Sequence, residues 1–201
     1  MKIIGLTGGM AAGKSTVAAL FRRAGVPVFD ADATVRALQA PGGKALPEIA
    51  RLFPGTVTDG QLDRHALRQA VVGDKLALKR LEAVMHPLVR AERARFLRQC
   101  RARKEPFCVL DIPLLMEIGE DRNCDVVVVV QAPMTTRLSR IRQRGRGQAR
   151  MTEEQARSLL ARQMPDHERR RRAHIVIRTG LSRGSAARQV RALLHRLREA
   201  P

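Results

Sequence analysis

The stretch GGMAAGKS at residues 8–15 constrains the fold of this 201-residue chain more than any other. It fits G-x-x-x-x-G-K-[ST], the pattern of a loop whose backbone N–H groups cradle nucleotide phosphates. An apolar run with Ile3, Ile4 and Leu6 precedes the loop, and residues 15–24 follow it with apolar side chains at helical spacing. Strand, loop and helix in this order direct the positive end of a helix at bound phosphates. The sequence therefore predicts an α/β nucleotide-binding fold.

The residues of this loop have separate expected roles. Lys14 is expected to reach the β- and γ-phosphates, and the Ser15 hydroxyl to be a ligand of Mg²⁺. We thus expect ATP as the phosphoryl donor and Mg²⁺ as the cofactor. The predicted ATP-binding residues are Gly8, Gly9, Met10, Ala11, Ala12, Gly13, Lys14, Ser15 and Thr16.

Four further apolar runs are typical of strands: residues 26–29, 107–110, 126–130 and 175–177. The valines of the third run do not alternate with polar residues, which indicates a strand buried on both faces of a parallel sheet. Ligands of such sheets bind at the carboxyl ends of the strands. The first run ends in Asp30-Ala31-Asp32 and the second in Asp111, so these carboxylates are expected at the edge that carries the phosphate loop. Asp111 is either near the metal and its waters or a helix-capping or loop carboxylate without a ligand role.

Residues 34–104 carry no strand signal and are predicted to be helical. Asp63 and Asp74 fit helix N-caps, and His86-Pro87 is predicted to end a helix. We expect one domain over residues 1–201, a three-layer α/β/α fold with a five-stranded, mainly parallel sheet. Its core is expected at about residues 1–33, 105–134 and 165–201, with a helical substrate-binding insertion at about 34–104 and a lid at about 135–164.

The lid prediction depends on six arginines between residues 137 and 150, interrupted by Gly145 and Gly147. Arginines on a glycine-hinged segment suit a mobile lid that closes over phosphates, although a solvated basic loop would have the same composition. Arg137, Arg140 and Arg144 lie close to one helical face. Thr152 to Gln155 then fits a capping box, followed by a helix through Leu159 and Leu160.

The composition limits the partners of the chain. A net charge of +19 attracts polyanions, which include ATP as well as nucleic acids. With no Trp or Tyr and five Phe, however, a base-stacking platform is hard to build, so no specific nucleic-acid partner is expected. No apolar run is long enough for a bilayer, and the N-terminus does not resemble a signal peptide. Three cysteines without a C-x-x-C pair suggest reduced structural thiols in the cytoplasm, with a catalytic cysteine as the less favoured alternative.

Several motifs, in order along nearly the whole chain, resemble those of the dephospho-CoA kinases. They are GLTGG with GKS at residues 5–15, DAD at 30–32, LDR at 62–64, LE at 81–82 with HP at 86–87, DIPLLME at 111–117, RL with Arg140 at 137–140, QMP at 163–165, and RA with IVI at 172–177. The DAD, HP and DIPLL set is far more specific than the phosphate loop alone. Because motors, GTPases, ATPases and small-molecule kinases all use the loop, this set is what selects among them.

The resemblance implies transfer of a phosphoryl group from ATP to the 3′-hydroxyl of dephospho-coenzyme A, which gives coenzyme A and ADP. Separately, we expect a monomer without a membrane partner. It implies that Asp32 orients or deprotonates this hydroxyl, and that Lys14, Mg²⁺ and Arg140 stabilise charge on the γ-phosphoryl group. The acceptor-binding residues it implies are Thr7, Asp32, His86, Asp111, Pro113 and Leu114. Two alternatives stay open: Asp30 only holds its loop, and His86 only terminates a helix.

The chain also departs from the family pattern. Ala11 and Ala12 replace a usual Gly and Ser, Met116 an aromatic residue, His174 an aspartate and Arg178 an asparagine. If position 11 needs a positive φ, alanine costs about 1 kcal/mol there. The lid is also longer and richer in arginine than is usual, which leaves the choice of one catalytic arginine open.

Three other functions are compatible with parts of the sequence. One is a related kinase of a nucleoside monophosphate or another metabolite. A second is an ATPase stimulated by nucleic acid, which the positive charge would suit. A third is a nucleotide-binding protein without catalysis, against which the intact Lys14, Ser15 and Asp32 argue.

Overall fold

The computed structural model describes residues 1–144, 152, 154–155, 157, 160 and 163–199. The chain forms two compact units, one of Met1–Phe29 with Cys100–Pro201 and the other of Asp30–Gln99. In chain order the described elements are β1 (Lys2–Gly8), α1 (Lys14–Arg23), β2 (Val28–Asp30), α2 (Ala31–Leu38), α3 (Leu46–Leu52), β3 (Val57–Thr58), β4 (Gln61–Leu62), α4 (Arg64–Val71), α5 (Lys75–Ala102), β5 (Phe107–Asp111), a 3₁₀ turn (Glu120–Asn123), β6 (Val126–Gln131), α6 (Met134–Arg144), α7 (Asp166–Arg172), β7 (Ile175–Arg178) and α8 (Arg183–Glu199). Within the described residues, no helix has the length and apolar character needed to cross a membrane.

A five-stranded sheet forms the centre of the first unit, with the strand order β2-β5-β1-β6-β7. Strand β1 pairs in parallel with β5 and β6, and β6 pairs in parallel with β7. All of β5 and the four central residues of β6 are buried, as strands covered on both faces must be. The predicted α/β fold with a five-stranded, mainly parallel sheet is confirmed.

Helices α1 and α8 bury their apolar stripes in one core with this sheet. Val17 and Phe21 of α1 join Val190, Leu193 and Leu194 of α8 in this core, so the predicted apolar stripe of α1 faces the sheet. The backbone conformation of the residue after the C-cap explains where α1 ends. Gly25 follows the C-cap with a φ of 77°, a left-handed conformation that glycine adopts without steric cost.

The second unit has its own core, to which Met85, Leu81 and Leu88 of α5 all contribute. The predicted break at His86-Pro87 is wrong, because α5 continues through Pro87 for 28 residues. Proline inside a helix removes one backbone hydrogen bond and costs about 3 kcal/mol. Each large apolar side chain that is buried returns about 1.5–3 kcal/mol, and apolar residues before and after Pro87 pack into the same core. Packing of the two halves therefore keeps the helix continuous.

A short hairpin of β3 and β4 corrects the prediction that residues 34–104 contain no strand. Its turn consists of Asp59 and Gly60, with φ of 50° and 71°. Two consecutive residues with positive φ are typical of the two-residue turns that favour Asp-Gly. The signal was therefore present in the sequence, and the strands were missed because each has only two residues.

Candidate active site

Strand register brings the candidate site residues of the first unit to one edge of the sheet. Leu6 lies opposite Asp111, and Gly8, the last residue of β1, lies opposite Val130. Gln131 lies opposite Arg178 in the next pair of strands. The phosphate loop after β1 and the segments after β5 and β7 therefore begin at the same edge of the sheet.

Two residues of the phosphate loop adopt left-handed backbone conformations. Gly13, the N-cap of α1, has a φ of 95°, and Ala11 has a φ of 59°. Position 11 thus has a positive φ, a conformation that costs alanine about 1 kcal/mol. The residue is also buried, at 6% exposure, in a small apolar cluster with Leu138, Ile141 and Leu160. The methyl group that strains the loop is therefore also a packing contact.

Lys14, the first residue of α1, forms an ion pair with Asp111, the last residue of β5. Lys14 Nζ lies 2.6 Å from Asp111 Oδ1, and the two side chains are 18% and 4% exposed. The Thr7 hydroxyl donates to the Pro113 carbonyl at 2.8 Å and so holds the segment after β5 against β1. Four predicted site residues are therefore brought together, and Leu114 follows them as a half-exposed side chain.

Three consecutive carbonyl oxygens of the loop accept hydrogen bonds from side chains outside it. Arg137 Nε donates to the Met10 carbonyl at 2.9 Å, Arg140 Nη1 donates to the Ala11 carbonyl at 3.1 Å, and the Thr179 hydroxyl donates to the Ala12 carbonyl. Arg140 also donates to the Thr179 hydroxyl at 3.1 Å and to its carbonyl at 2.7 Å. Sequence reasoning named Arg140 but missed Thr179, whose only signal was its place directly after the last strand.

Two buried arginines, Arg137 and Arg169, lie against Gly9. A Cβ added there would be 2.6 Å from Arg137 Nη2 and 3.0 Å from Arg169 Nη1, so any larger residue would require the Arg137 guanidinium to shift. Asp166 binds both guanidinium groups, at 2.9 Å for Arg137 and 3.2 Å for Arg169. Arg169 also binds Glu117 at 3.3 Å. Sequence reasoning missed Arg169, because it begins a run of four arginines at residues 169–172 that the letters alone do not distinguish.

Part of the predicted lid lies outside the described residues, including Gly145, Arg146, Gly147 and Arg150. The predicted capping box is confirmed: the Thr152 N–H donates to Gln155 Oε1 at 2.9 Å, and the Gln155 N–H donates to the Thr152 hydroxyl at 3.1 Å. Further along, Gln163 Oε1 accepts from the Met10 N–H at 2.9 Å. This side chain therefore contacts the phosphate loop directly.

The second unit holds three of the predicted residues. Asp30 caps α2 by accepting a hydrogen bond from the Ala33 N–H at 2.8 Å, which supports the alternative that it holds the local backbone. Asp32 lies in the first turn of α2, and His86 lies within α5. Both are exposed to solvent.

The loop residues fit a magnesium ion bound together with nucleotide phosphates. Mg²⁺ usually keeps several waters and takes only one or two protein oxygens beside substrate phosphates. Ser15, exposed in the first turn of α1, offers such an oxygen. Across the described residues, no group of three or more His, Cys, Asp or Glu side chains forms a separate metal site.

The cysteines of the first unit are free thiols, and Cys108 is fully buried in β5. Burial raises the pKa of Cys108 to about 12. Because the thiolate is the nucleophilic form, Cys108 is unreactive near neutral pH. The structural interpretation of this thiol is thereby favoured over a catalytic one.

Two departures from the family pattern now have structural explanations. His174 Nδ1 accepts a hydrogen bond from the Val127 N–H at 3.0 Å, so the ring supplies an acceptor where an aspartate is common. Arg178 is exposed, and its backbone N–H and carbonyl both bind the Gln189 side chain amide, at 2.9 and 3.0 Å. Residue 178 is thus held through its backbone, which leaves its side chain identity less constrained.

Comparison with known proteins gives matches over almost the whole chain. A family model described as dephospho-CoA kinase matches residues 2–182. A dephospho-CoA kinase of Gluconobacter oxydans is 78% identical over 200 residues and is covered completely, as is this chain. A dephospho-CoA kinase of Paramagnetospirillum magneticum is 51% identical over 170 residues, which cover 85% of this chain and 78% of that protein.

Solved structures give the same result for the fold. TT1252 from Thermus thermophilus superposes with a TM-score of 0.79 at 39% identity, covering 100% of this chain and 98% of that one. Dephospho-CoA kinase from Campylobacter jejuni gives 0.64 at 23% identity, covering 98% and 97%. A shikimate kinase from Acinetobacter baumannii gives 0.54 at 20% identity, covering 99% and 94%. The last two show only that the fold is shared.

Proposed function

Because the chain belongs to the dephospho-CoA kinase family, we propose that it transfers the γ-phosphoryl group of ATP to the ribose 3′-hydroxyl of dephospho-coenzyme A. The products are coenzyme A and ADP, and the reaction is the last step of coenzyme A biosynthesis. The observation that carries this conclusion is 78% identity to a curated dephospho-CoA kinase over the full length of both chains.

On the donor side, Lys14 is proposed to bind the β- and γ-phosphates. The ion pair of 2.6 Å with Asp111 supports this role, because it holds Nζ at the edge of the sheet where the phosphate loop begins. Phosphoryl transfer depends mainly on positioning and electrostatic stabilisation. An amine whose orientation is already fixed loses less entropy when nucleotide binds.

Ser15 is proposed to hold Mg²⁺ together with ATP phosphates and waters, since its hydroxyl is exposed at the start of α1. When bound, the ion neutralises charge on the phosphate oxygens. Arg140 is proposed to add positive charge at the transferred group. Its contacts with the Ala11 carbonyl and with Thr179 support a fixed position beside the loop.

On the acceptor side, Asp32 is proposed to align the 3′-hydroxyl and accept its proton. An unperturbed aspartate has a pKa near 3.9 and is a weak base, so alignment is the larger part of this role. Asp111, Thr7, Pro113 and Leu114 of the first unit and His86 of the second are each proposed to bind the acceptor. We also propose that the unit Asp30–Gln99 binds the acceptor and that residues 135–164 form a lid.

The test is an assay of ADP release with dephospho-coenzyme A, AMP, shikimate and gluconate offered separately. We expect turnover with dephospho-coenzyme A to exceed the others by about 10⁴-fold, the discrimination that a site built to hydrogen-bond its substrate provides. Mass spectrometry should identify coenzyme A as the product. Equal turnover of AMP or shikimate would refute the proposed acceptor.

A cytoplasmic location and a monomeric state are further proposals. Thiols such as those of this chain stay reduced in the cytoplasm. Analytical ultracentrifugation would test the oligomeric state, and a dimer at micromolar concentration would contradict it.

A further inference from the structure

We propose that Arg169 is a phosphoryl-binding cation of this reaction, a role that rests on the proposed kinase function. Three observations in the first unit lead to it: the hydrogen bonds that Arg169 does not complete, its contact with the phosphate loop, and its contact with the segment that follows β5.

The guanidinium of Arg169 is buried but incompletely bonded. The side chain is 3% exposed, and its Nε has no hydrogen-bond acceptor among the described residues. Leaving a buried donor unpaired costs about 1–3 kcal/mol, and more for a charged group. A buried donor without a partner therefore needs an explanation. One explanation is a ligand that supplies the missing acceptor when it binds.

Both carboxylate partners of Arg169 are also far away for a charged pair. Arg169 Nη1 lies 3.2 Å from Asp166 Oδ1, and Arg169 Nη2 lies 3.3 Å from Glu117 Oε1. Good charge-assisted hydrogen bonds are shorter, about 2.7–2.9 Å long. A nearby arginine on the same helix, Arg172, lies 2.7 Å from Asp121. Arg169 therefore retains bonding capacity that its protein partners do not use.

The position of Arg169 indicates the ligand. Its Nη1 lies 3.0 Å from where a Cβ of Gly9 would be, directly against the loop that binds the donor. Its Nη2 reaches Glu117, in the segment after β5 that begins with the proposed acceptor residues Asp111, Pro113 and Leu114. The group that passes from donor to acceptor is the γ-phosphoryl group. An arginine that lies against the phosphate loop and also binds the segment after β5 is placed to bind the oxygens of this group, and its planar guanidinium suits phosphate.

The experiment compares Arg169→Gln and Arg169→Lys with Arg170→Gln, which changes an exposed arginine on the same helix. For Arg169→Gln we expect kcat to fall by about 10²-fold or more, the usual cost of removing one donor to transition-state charge. The kcat of Arg169→Lys should lie between those of Arg169→Gln and the parent. The kcat of Arg170→Gln should equal that of the parent.

Nucleotide binding separates this role from a structural one. Calorimetry should show that Arg169→Gln weakens binding of a non-hydrolysable ATP analogue, while ADP affinity stays within about threefold of the parent. Parental kcat in Arg169→Gln, or equal losses of ADP and ATP-analogue affinity with a lowered Tm, would overturn the proposal. If Arg169→Gln does not fold, the lysine variant keeps the charge opposite Glu117 and Asp166 and decides the same comparison.

The two proposals fail in different ways. A parent protein that binds ATP but does not phosphorylate dephospho-coenzyme A would contradict the proposed function. The comparison of ATP analogue with ADP needs no acceptor, so it tests Arg169 independently of that outcome.

Discussion

Replacing Ala11 by glycine tests whether the phosphate loop is strained. The left-handed φ of 59° costs alanine about 1–2 kcal/mol, which glycine would recover. Glycine would also lose the buried methyl, about 0.8 kcal/mol, and add about 0.4–1 kcal/mol of backbone entropy to the unfolded state. These opposing effects leave the free energy of unfolding of Ala11→Gly within about 1 kcal/mol of the parent.

Ala12 provides a matched control in the same loop. It is 2% exposed but does not have a positive φ. Ala12→Gly therefore loses the same methyl burial and gains the same unfolded-state entropy with no relief of strain. We expect it to destabilise the protein by about 1.2–1.8 kcal/mol, so the two variants differ by the strain at Ala11.

Urea unfolding at equilibrium, without nucleotide, measures this difference. In thermal melts, about 2–4 °C per kcal/mol is expected for a chain of this size, so the Tm of Ala12→Gly should fall by about 2–7 °C and that of Ala11→Gly by no more than about 4 °C. Equal destabilisation by both substitutions would refute the reasoning, because it would mean that Ala11 stores no backbone strain.

Three further substitutions test the roles proposed for the site. Thr179→Val removes the hydroxyl between Ala12 and Arg140, which should lower kcat/KM for ATP about tenfold; Thr179→Ser should restore it, and an unaffected valine variant would argue against this link. Asp32→Asn should abolish turnover while calorimetry still detects ATP binding, whereas a parallel loss of ATP affinity would make Asp32 a metal or structural residue. Arg140→Ala should lower kcat by about 10³-fold, and the same loss in Arg144→Ala alone would instead assign that role to Arg144.

The sequence was informative where local patterns and tertiary packing agree. The phosphate loop, the valine-rich β6 and the caps at Asp63 and Asp74 follow rules that involve neighbouring residues only, and both caps accept the expected backbone hydrogen bonds. It failed at Pro87, where the local rule predicts a helix end. Whether the helix continues through Pro87 depends on packing with residues that are distant in the sequence. The residues next to the proline therefore do not predict it.

The site residues likewise divide into those that a local motif predicts and those that only the tertiary structure brings to the site. Lys14 and Ser15 were identified because a motif fixes their spacing. Thr179 and Arg169 lie more than 150 residues away along the chain, and they reach the loop only because strand order places β7 and the preceding helix beside it. Residues of this kind become visible only once the sheet is assembled.

The three side chains that hold the carbonyl oxygens of Met10, Ala11 and Ala12 also determine where the opposite sides of those peptide planes face. In a trans peptide the C=O and the following N–H point in opposite directions, and the described chain has no cis bonds. The N–H groups of Ala11 and Gly13 are therefore turned away from Arg137 and Thr179. The orientation of these two peptide groups is therefore set when the protein folds. An anion that binds the loop meets N–H groups that are already oriented, so its binding requires little rearrangement of the backbone.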